Sequence, residues 1–407
     1  MKMSKWTQVL LSAGVISLPA MVHADDTNAA PIPNSVLTSL NSTTLSGYID
    51  TTAIWKPGSG NANMPGRVYD AGDTQDGFNM NVLSLTLDKP LDEGEWSAGY
   101  HVQMLFGPNA AKRGTGSIIP ITTGTGGTAP VSSVSDFAFN EAYISLRVPI
   151  GNGIEFHVGQ FGTFNGFEAF DTYKNPNWSR SYGFFNETSA HTGVAAFYKF
   201  ADWLSVQGGV GNVGPFNSQV DARAPSESQK AYLGMFTLTA PESFGFAKGA
   251  TLSAGYTVGP NVAGGPHVNQ IYIGGTLPLP VTGLAIGYAY DYTSEVNQFI
   301  TGDPTVHGGY ANSAALYILW QATEKLKLNT RLDYATSTPG WYGATAPHRL
   351  GSVTMTADYA LWKNVISRGE VRWDHSLDGS TPFGGTTPGV GRDGDAVSLE
   401  LNLIYLF

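Results

Sequence analysis

The C-terminal stretch Val397-Ser398-Leu399-Glu400-Leu401-Asn402-Leu403-Ile404-Tyr405-Leu406-Phe407 is apolar at Val397, Leu399, Leu401, Leu403, Tyr405 and Phe407, with Ser398, Glu400 and Asn402 between them. A repeat of two is the period of a β-strand, whose side chains alternate between two faces. One face here is greasy and the other polar and charged. That combination fits a closed barrel whose outside meets hydrocarbon and whose inside is wet.

The N-terminus fits export. Lys2 and Lys5 precede an apolar run from Val9 to Leu18, and Val22-His23-Ala24 places small residues where a signal peptidase inspects the chain. Residues 1–24 are expected to be a signal peptide cleaved after Ala24, followed by an N-terminal extension over 25–44 and the barrel over 45–407. The apolar run is too short to span a bilayer as a helix, since that needs about 20 residues.

Composition narrows the class. Only 13% of residues are charged, against about 25% in a typical soluble domain, while Gly reaches 50 of 407 and aromatics 12%. No stretch beyond the expected signal approaches 18 uninterrupted apolar residues, which excludes a helical membrane protein. Cysteine is absent, so disulfide scaffolds and thiolate metal sites are excluded. The formal net charge of -10 disfavours nucleic-acid binding, which wants a basic face.

Period-2 segments recur along the chain. The clearest are Trp96–Phe106, Leu204–Gly211, Leu252–Val258, Leu284–Tyr292, Leu326–Tyr334, Val353–Leu361 and Val397–Phe407. Less regular ones are Leu45–Trp55, Phe78–Leu87, Phe137–Val148, Ile154–Phe161, Thr192–Phe200, Ala231–Thr239, Gln270–Thr276, Asn312–Trp320 and Val365–Asp374. Their connections alternate short and long: Pro149–Gly153, Ala201–Trp203 and Trp362–Asn364 are short, whereas Lys56–Gly77, Gly107–Ser135 and Gly162–His191 are long. Short inner turns alternating with long outer loops are the mark of an antiparallel up-and-down transmembrane barrel. The expectation is an all-β barrel of about sixteen strands, wide enough for a water-filled lumen.

Several runs carry a likeness to a known family. Leu45-Ser46-Gly47-Tyr48-Ile49-Asp50, Asn140-Glu141-Ala142-Tyr143, Pro149-Ile150-Gly151-Asn152-Gly153, Asn175-Pro176-Asn177-Trp178-Ser179-Arg180-Ser181-Tyr182 and His191-Thr192-Gly193-Val194 make the chain resemble the putative outer-membrane beta-barrel porin-2 (OmpL-like) family over roughly residues 45–407. The densest part is 140–203. Phe167 in Gly166-Phe167-Glu168 stands where the family pattern has Tyr. The resemblance implies a porin-like role in the bacterial outer membrane and assigns no residue a part in it. The terminal Phe407 likewise resembles the signal that outer-membrane barrels show to their assembly machinery.

The third long connection, 162–191, is the candidate constriction. In sixteen-stranded general porins the third loop folds into the lumen, and this one packs Phe161, Phe164, Phe167, Phe170, Phe184 and Phe185 among Glu168, Asp171, Lys174, Arg180 and Glu187. Aromatic rings are costly to leave in water, so folding inward against the wall is favourable; the other reading is a cap over the outer mouth. Alternation also points Lys327, Arg331, Arg368, Glu370 and Arg372 into the lumen. Two readings of these wall charges stay open: a transverse field facing the acidic loop residues, or simple pairing with Glu370, Asp374 and neighbours. The expected pore-lining set is Glu168, Asp171, Lys174, Arg180, Lys327, Arg331, Arg368, Glu370 and Arg372.

Other signals are weak. Gly209-x-Gly211-x-x-Gly214 follows a strand but precedes Pro215 with no amphipathic helix, so no helix N-terminus awaits a phosphate. Asp70, Asp73 and Asp76 are three apart, unlike the alternating ligands of an EF-hand. The eight His show no metal spacing. No catalytic residue, metal or cofactor is expected. The reading is an outer-membrane pore for passive diffusion of small hydrophilic solutes and ions, embedded in lipid and plausible as a homotrimer. The alternatives are a non-conducting barrel that binds a partner through its long loops, and an outer-membrane hydrolase.

Overall fold

The computed structural model describes residues 42–72, 74–114, 119–123, 127–131, 136–212, 229–260, 267–296, 309–343, 345 and 347–407. The expected signal peptide, together with Asp73 and Gly214, lies outside the described residues.

Strands β1 (Thr44–Trp55), β2 (Gly77–Lys89) and β3 (Ser97–Phe106) come first. Helix α1 (Pro108–Arg113) and a small hairpin, β4 (Ile119–Thr123) and β5 (Gly127–Val131), follow in the second long connection. The barrel resumes with β6 (Phe137–Val148) and β7 (Ile154–Gly162), and helix α2 (Tyr182–Asn186) lies in the third long connection. Then come β8 (Ala190–Ala201), β9 (Leu204–Gly211), β10 (Ala231–Thr239), β11 (Thr251–Pro260), β12 (His267–Pro278) and β13 (Leu284–Val296). The last are β14 (Gly309–Gln321), β15 (Leu326–Ser337), β16 (Arg349–Trp362), β17 (Val365–Ser376) and β18 (Asp395–Leu406). All except β4 and β5 join one closed antiparallel barrel of sixteen strands. Every sequence-read strand has its counterpart. What the alternation did not show is α1 and the β4–β5 hairpin, which are local structures inside a loop.

Closure is made by the termini. Tyr48 pairs with Leu406 across β1 and β18, and Gly47 N–H donates to the Phe407 carbonyl at 2.9 Å while Phe407 N–H returns to Gly47 at 3.0 Å. A Cβ at Gly47 would meet the Ser84 carbonyl oxygen at 2.3 Å and the Phe407 ring at 2.8 Å. Only glycine admits this approach, so the terminal ring sits on the backbone of the first strand.

Alternation sets the two faces. In β18, Leu401, Leu403 and Tyr405 are exposed on the outside, while Ser398, Glu400 and Asn402 are buried on the inside. The exposed Trp203, Trp320, Trp362 and Phe407 cluster toward the short-turn ends, the headgroup depth where aromatics anchor. Tyr290 is exposed on the outer face, in line with the sequence reading of that tyrosine run.

Register breaks shape the inner face. Between Gln103 and Met104 the ladder of β3 with β6 slips, pairing Gln103 with Glu141 and Met104 with Phe139. The slip is a β-bulge, which re-aims side chains beside it. It leaves Asn140 unpaired in the ladder and turned to Gln103, whose Oε1 accepts from its amide at 2.5 Å.

Candidate functional site

The loop 162–191 crosses the lumen and is bound to the inner wall along its length. It leaves β7 with Phe161 and Phe164 packed on Ala195, Leu233, Met235 and Tyr272. Phe167 stacks on Tyr317, ring centroids 4.2 Å apart. Phe170 and Phe184 join Tyr48, Val82, Leu105 and Ile404 in a second cluster, and Tyr182 packs with Ala335, Tyr342, Leu350 and Phe383 in a third. The apolar residues on the otherwise polar inner face are thus the seats of the loop's rings.

Polar anchors alternate with these seats. Trp178 and Ser179 N–H donate to Glu370 at 2.6 and 2.9 Å, and the same carboxylate accepts from the Thr356 hydroxyl at 2.7 Å. Arg331 donates to Glu168 at 2.9 Å, to the Ser179 carbonyl at 2.6 Å and to Asp333 at 2.7 Å. Arg368 donates to Asp358 at 2.9 Å and to the Thr172 carbonyl at 2.7 Å. Arg372 pairs with Asp374 at 2.8 Å and donates to the Arg180 carbonyl at 2.5 Å. A guanidinium presents five donors in a fixed fork, which suits it to hold a wall carboxylate and a loop carbonyl together. Farther round the wall, on β1 and β3, Tyr48 and Gln103 donate to Asp171 at 2.9 and 2.8 Å, and Thr172 donates to Asp50.

The expected pore-lining residues therefore fall into distinct positions. Glu168, Asp171, Arg180, Arg331, Arg368, Glu370 and Arg372 are all buried where loop meets wall. Lys327 stands exposed at the short-turn end of β15, apart from that cluster. Lys174 keeps 18% of its side chain exposed while pairing with Asp171 at 2.6 Å. Of the two readings of the wall arginines, pairing and anchoring describes the contacts. Burial alone would raise the Asp171 carboxyl, but the Lys174 ammonium and the bonds from Gln103 and Tyr48 hold it below the ordinary carboxylate value. Burial drives the Glu187 carboxyl the other way, well above the ordinary range, with the charges of Asp291 and Glu168 adding to the effect.

Residues outside the loop complete the site, and periodicity had no means of finding them. Arg67, in the first long connection, reaches into the lumen to pair with Asp70 at 2.9 Å and Asp374 at 3.2 Å, and donates to Ser398 at 2.6 Å. Arg113 of α1 donates to Asn140 at 2.7 Å and lies over the Phe170 ring. Asp76, a loop acid, accepts from Lys56 N–H at 3.0 Å. Burial brings the Lys56 ammonium down to about 8. Toward the short-turn end, a cleft of about 430 Å³, counted to its open mouth, is lined by Arg147, Glu155, Phe197, Lys199, Gln207 and Thr237.

A closed sixteen-stranded barrel with an apolar outer belt, a polar inner face and a loop folded across its bore defines an outer-membrane porin-type protein. The profile of the family described as putative beta-barrel porin-2, OmpL-like, matches residues 42–407, and the chain belongs to that family. It is accordingly a protein of the bacterial outer membrane. The fold is similar to that of an anion-selective porin from Comamonas acidovorans, at TM-score 0.57 and 13% identity over 90% of this chain and 99% of that one. It is also similar to the outer-membrane channel DcaP of Acinetobacter baumannii, at TM-score 0.54 and 14% identity over 90% and 97%. A trimer form of OmpT, an outer-membrane protein of Vibrio cholerae, matches at TM-score 0.54 and 12% identity over 90% and 99%. No curated protein matches the chain by sequence.

Proposed function

We propose that this porin is a passive, water-filled channel for small hydrophilic solutes and ions, narrowed at mid-height by loop 162–191. The observation that carries the reading is the loop itself: a segment fastened to the inner wall by Arg331, Arg368, Glu370 and Arg372 limits the bore without depending on the lipid outside. The constriction set is Glu168, Asp171, Lys174, Arg180, Arg331, Arg368, Glu370 and Arg372, most of them acting by holding the loop rather than by facing solute; Lys327, expected among them, lies apart at the short-turn end. No reaction is catalysed, a reading that rests on the family and the fold. A homotrimer is supported by the trimeric form of the Vibrio cholerae neighbour, and Phe407 is the group shown to the barrel assembly machinery.

One observation favours a second reading, a barrel that does not conduct and binds a partner through its outer loops. Arg67 and Arg113 come from two further loops and are buried in the lumen with loop 162–191. Planar-bilayer recording of the refolded protein separates the two: stepwise openings support the channel, and silence over a wide voltage range supports the binding barrel and refutes the channel.

A further inference from the structure

Three loops meet inside the barrel around a cavity of about 210 Å³, counted to its open mouth. Tyr69 and Asp70 come to it from the first long connection, Asn109 from α1, and Trp178 and Arg180 from loop 162–191. All five are buried. Among the described residues, Tyr69 Oη, Trp178 Nε1 and Arg180 Nε have no hydrogen-bond partner. Buried polar groups are ordinarily paired, because an unpaired one gives up its hydration without return. Three such groups on side chains that line one cavity point to a shared partner.

Each of the three belongs to a side chain held by other contacts. Arg180 spends its terminal nitrogens on the carbonyls of Trp178 at 2.7 Å and Phe170 at 2.5 Å, which leaves the Nε–H. Trp178 is fixed through its backbone N–H on Glu370. The Tyr69 ring meets Phe170 edge to face, centroids 5.4 Å apart, and lies against the Arg180 guanidinium; its carbonyl accepts from Lys112 at 3.0 Å. Indole and guanidinium nitrogens only donate, and the tyrosine hydroxyl can donate with them.

The charge balance favours the same kind of partner. Asp70, the acid on the cavity wall, is paired with Arg67 at 2.9 Å. Burial would raise its carboxyl, yet Arg67, Arg372, Lys56 and Lys112 hold it below the ordinary value, which marks a positive local potential. Donors in a positive potential suit an acceptor that carries negative charge and no protons. A water would need acceptors for its own protons, and the carboxylate on the wall is already engaged by Arg67. The cavity is also smaller than the roughly 300–1,000 Å³ of sites for organic ligands.

We propose that this cavity is a binding site for a small inorganic anion, chloride, held by the Tyr69 hydroxyl, the Trp178 indole N–H and the Arg180 Nε–H, and that the bound ion ties the first long connection to loop 162–191. The site does not depend on the channel reading, since a barrel that does not conduct keeps the same three loops.

Crystals of the folded barrel soaked in sodium bromide and measured at the bromine absorption edge are expected to show an anomalous peak among these three side chains. Trp178→Phe, which keeps a ring and removes the N–H, is expected to lose it. In solution, trypsin cleavage after Lys174 and Arg180 is compared in sodium chloride and in sodium gluconate of equal ionic strength, gluconate being too large for the cavity. Chloride at ten times its Kd should slow cleavage about tenfold, and Trp178→Phe and Tyr69→Phe, each confirmed as folded by heat-modifiable mobility, should lose that dependence. No bromide peak in the unaltered protein overturns the site. A peak without any chloride effect on cleavage means an adventitious ion only and overturns the tie between the loops, as does an equal chloride effect in the two variants.

Discussion

Replacing Arg331 by Met tests the idea that the constriction loop is held chiefly by buried ion pairs. Arg331 is fully buried on β15 and donates to two carboxylates, Glu168 and Asp333, and to the carbonyls of Ser179 and Arg180. Methionine fills similar space but leaves both carboxylates without their cation. Breaking one partner out of a buried pair costs about 3–5 kcal/mol, and each orphaned carbonyl adds about 1–3 kcal/mol if water does not reach it. Because the lumen can admit water, the lower figure of about 3 kcal/mol is the expected outcome. Glu168 keeps its bonds from the Ser181 N–H and hydroxyl at 2.8 and 2.9 Å, which also limits the loss. A change of about 3 kcal/mol shifts the docked-to-released equilibrium of the loop by about two orders of magnitude. The barrel ladders are untouched, so the variant should still run as a folded, heat-modifiable species. Its single-channel record should show larger and noisier openings, and trypsin should cut the loop after Lys174 or Arg180. Arg331→Lys should fall between, since an ammonium cannot hold carboxylate and carbonyls in one planar fork. A folded Arg331→Met variant with native conductance, native noise and full trypsin resistance would refute the reasoning.

Glu370→Gln should release the amides of Trp178 and Ser179, because a carboxamide has one oxygen for the two N–H donors that the carboxylate now accepts; a cost of about 1–3 kcal/mol should appear as faster hydrogen exchange at those residues, and unchanged exchange would count against it. The loop should also respond to pH through Glu187. Its folded value lies above the ordinary 4.5, so the folded state holds the proton more tightly, and docking stability is full below about 4.5 and falls as pH rises toward the folded value. Open-channel noise should therefore increase with pH from that point, and Glu187→Gln should flatten the dependence; an unaltered profile in the variant excludes this group. Phe407→Ala keeps the backbone pair with Gly47 and should lower refolded stability by only about 1 kcal/mol, yet reduce the assembled fraction in cells several-fold. Equal assembly in cells would show that the ring is not read as a signal.

The barrel was legible because hydrocarbon forces the pattern. Every outward position must be apolar and every backbone polar group must pair along a closed ladder, so Leu399, Leu401, Leu403 and Tyr405 against Ser398, Glu400 and Asn402 announce strand, face and closure in one run. The same parity placed Arg331, Arg368, Glu370 and Arg372 inside, and the ring-rich run 162–191 marked the loop that crosses the bore. What those residues do was not legible. Whether an inward arginine faces solute or fastens a loop depends on which carbonyls and carboxylates arrive beside it from residues 151 to 196 positions away, as Ser179 and Arg180 do for Arg331 and Thr172 does for Arg368. Arg67 and Arg113 gave no signal at all, since loop residues have no period; the partner of Arg67, Asp374, sits on a distant strand, and Asn140, the partner of Arg113, is turned to it by the bulge of β6. Local alternation determines the cylinder; only the folding of three loops into it decides where water remains, and hence which of many polar side chains a solute meets.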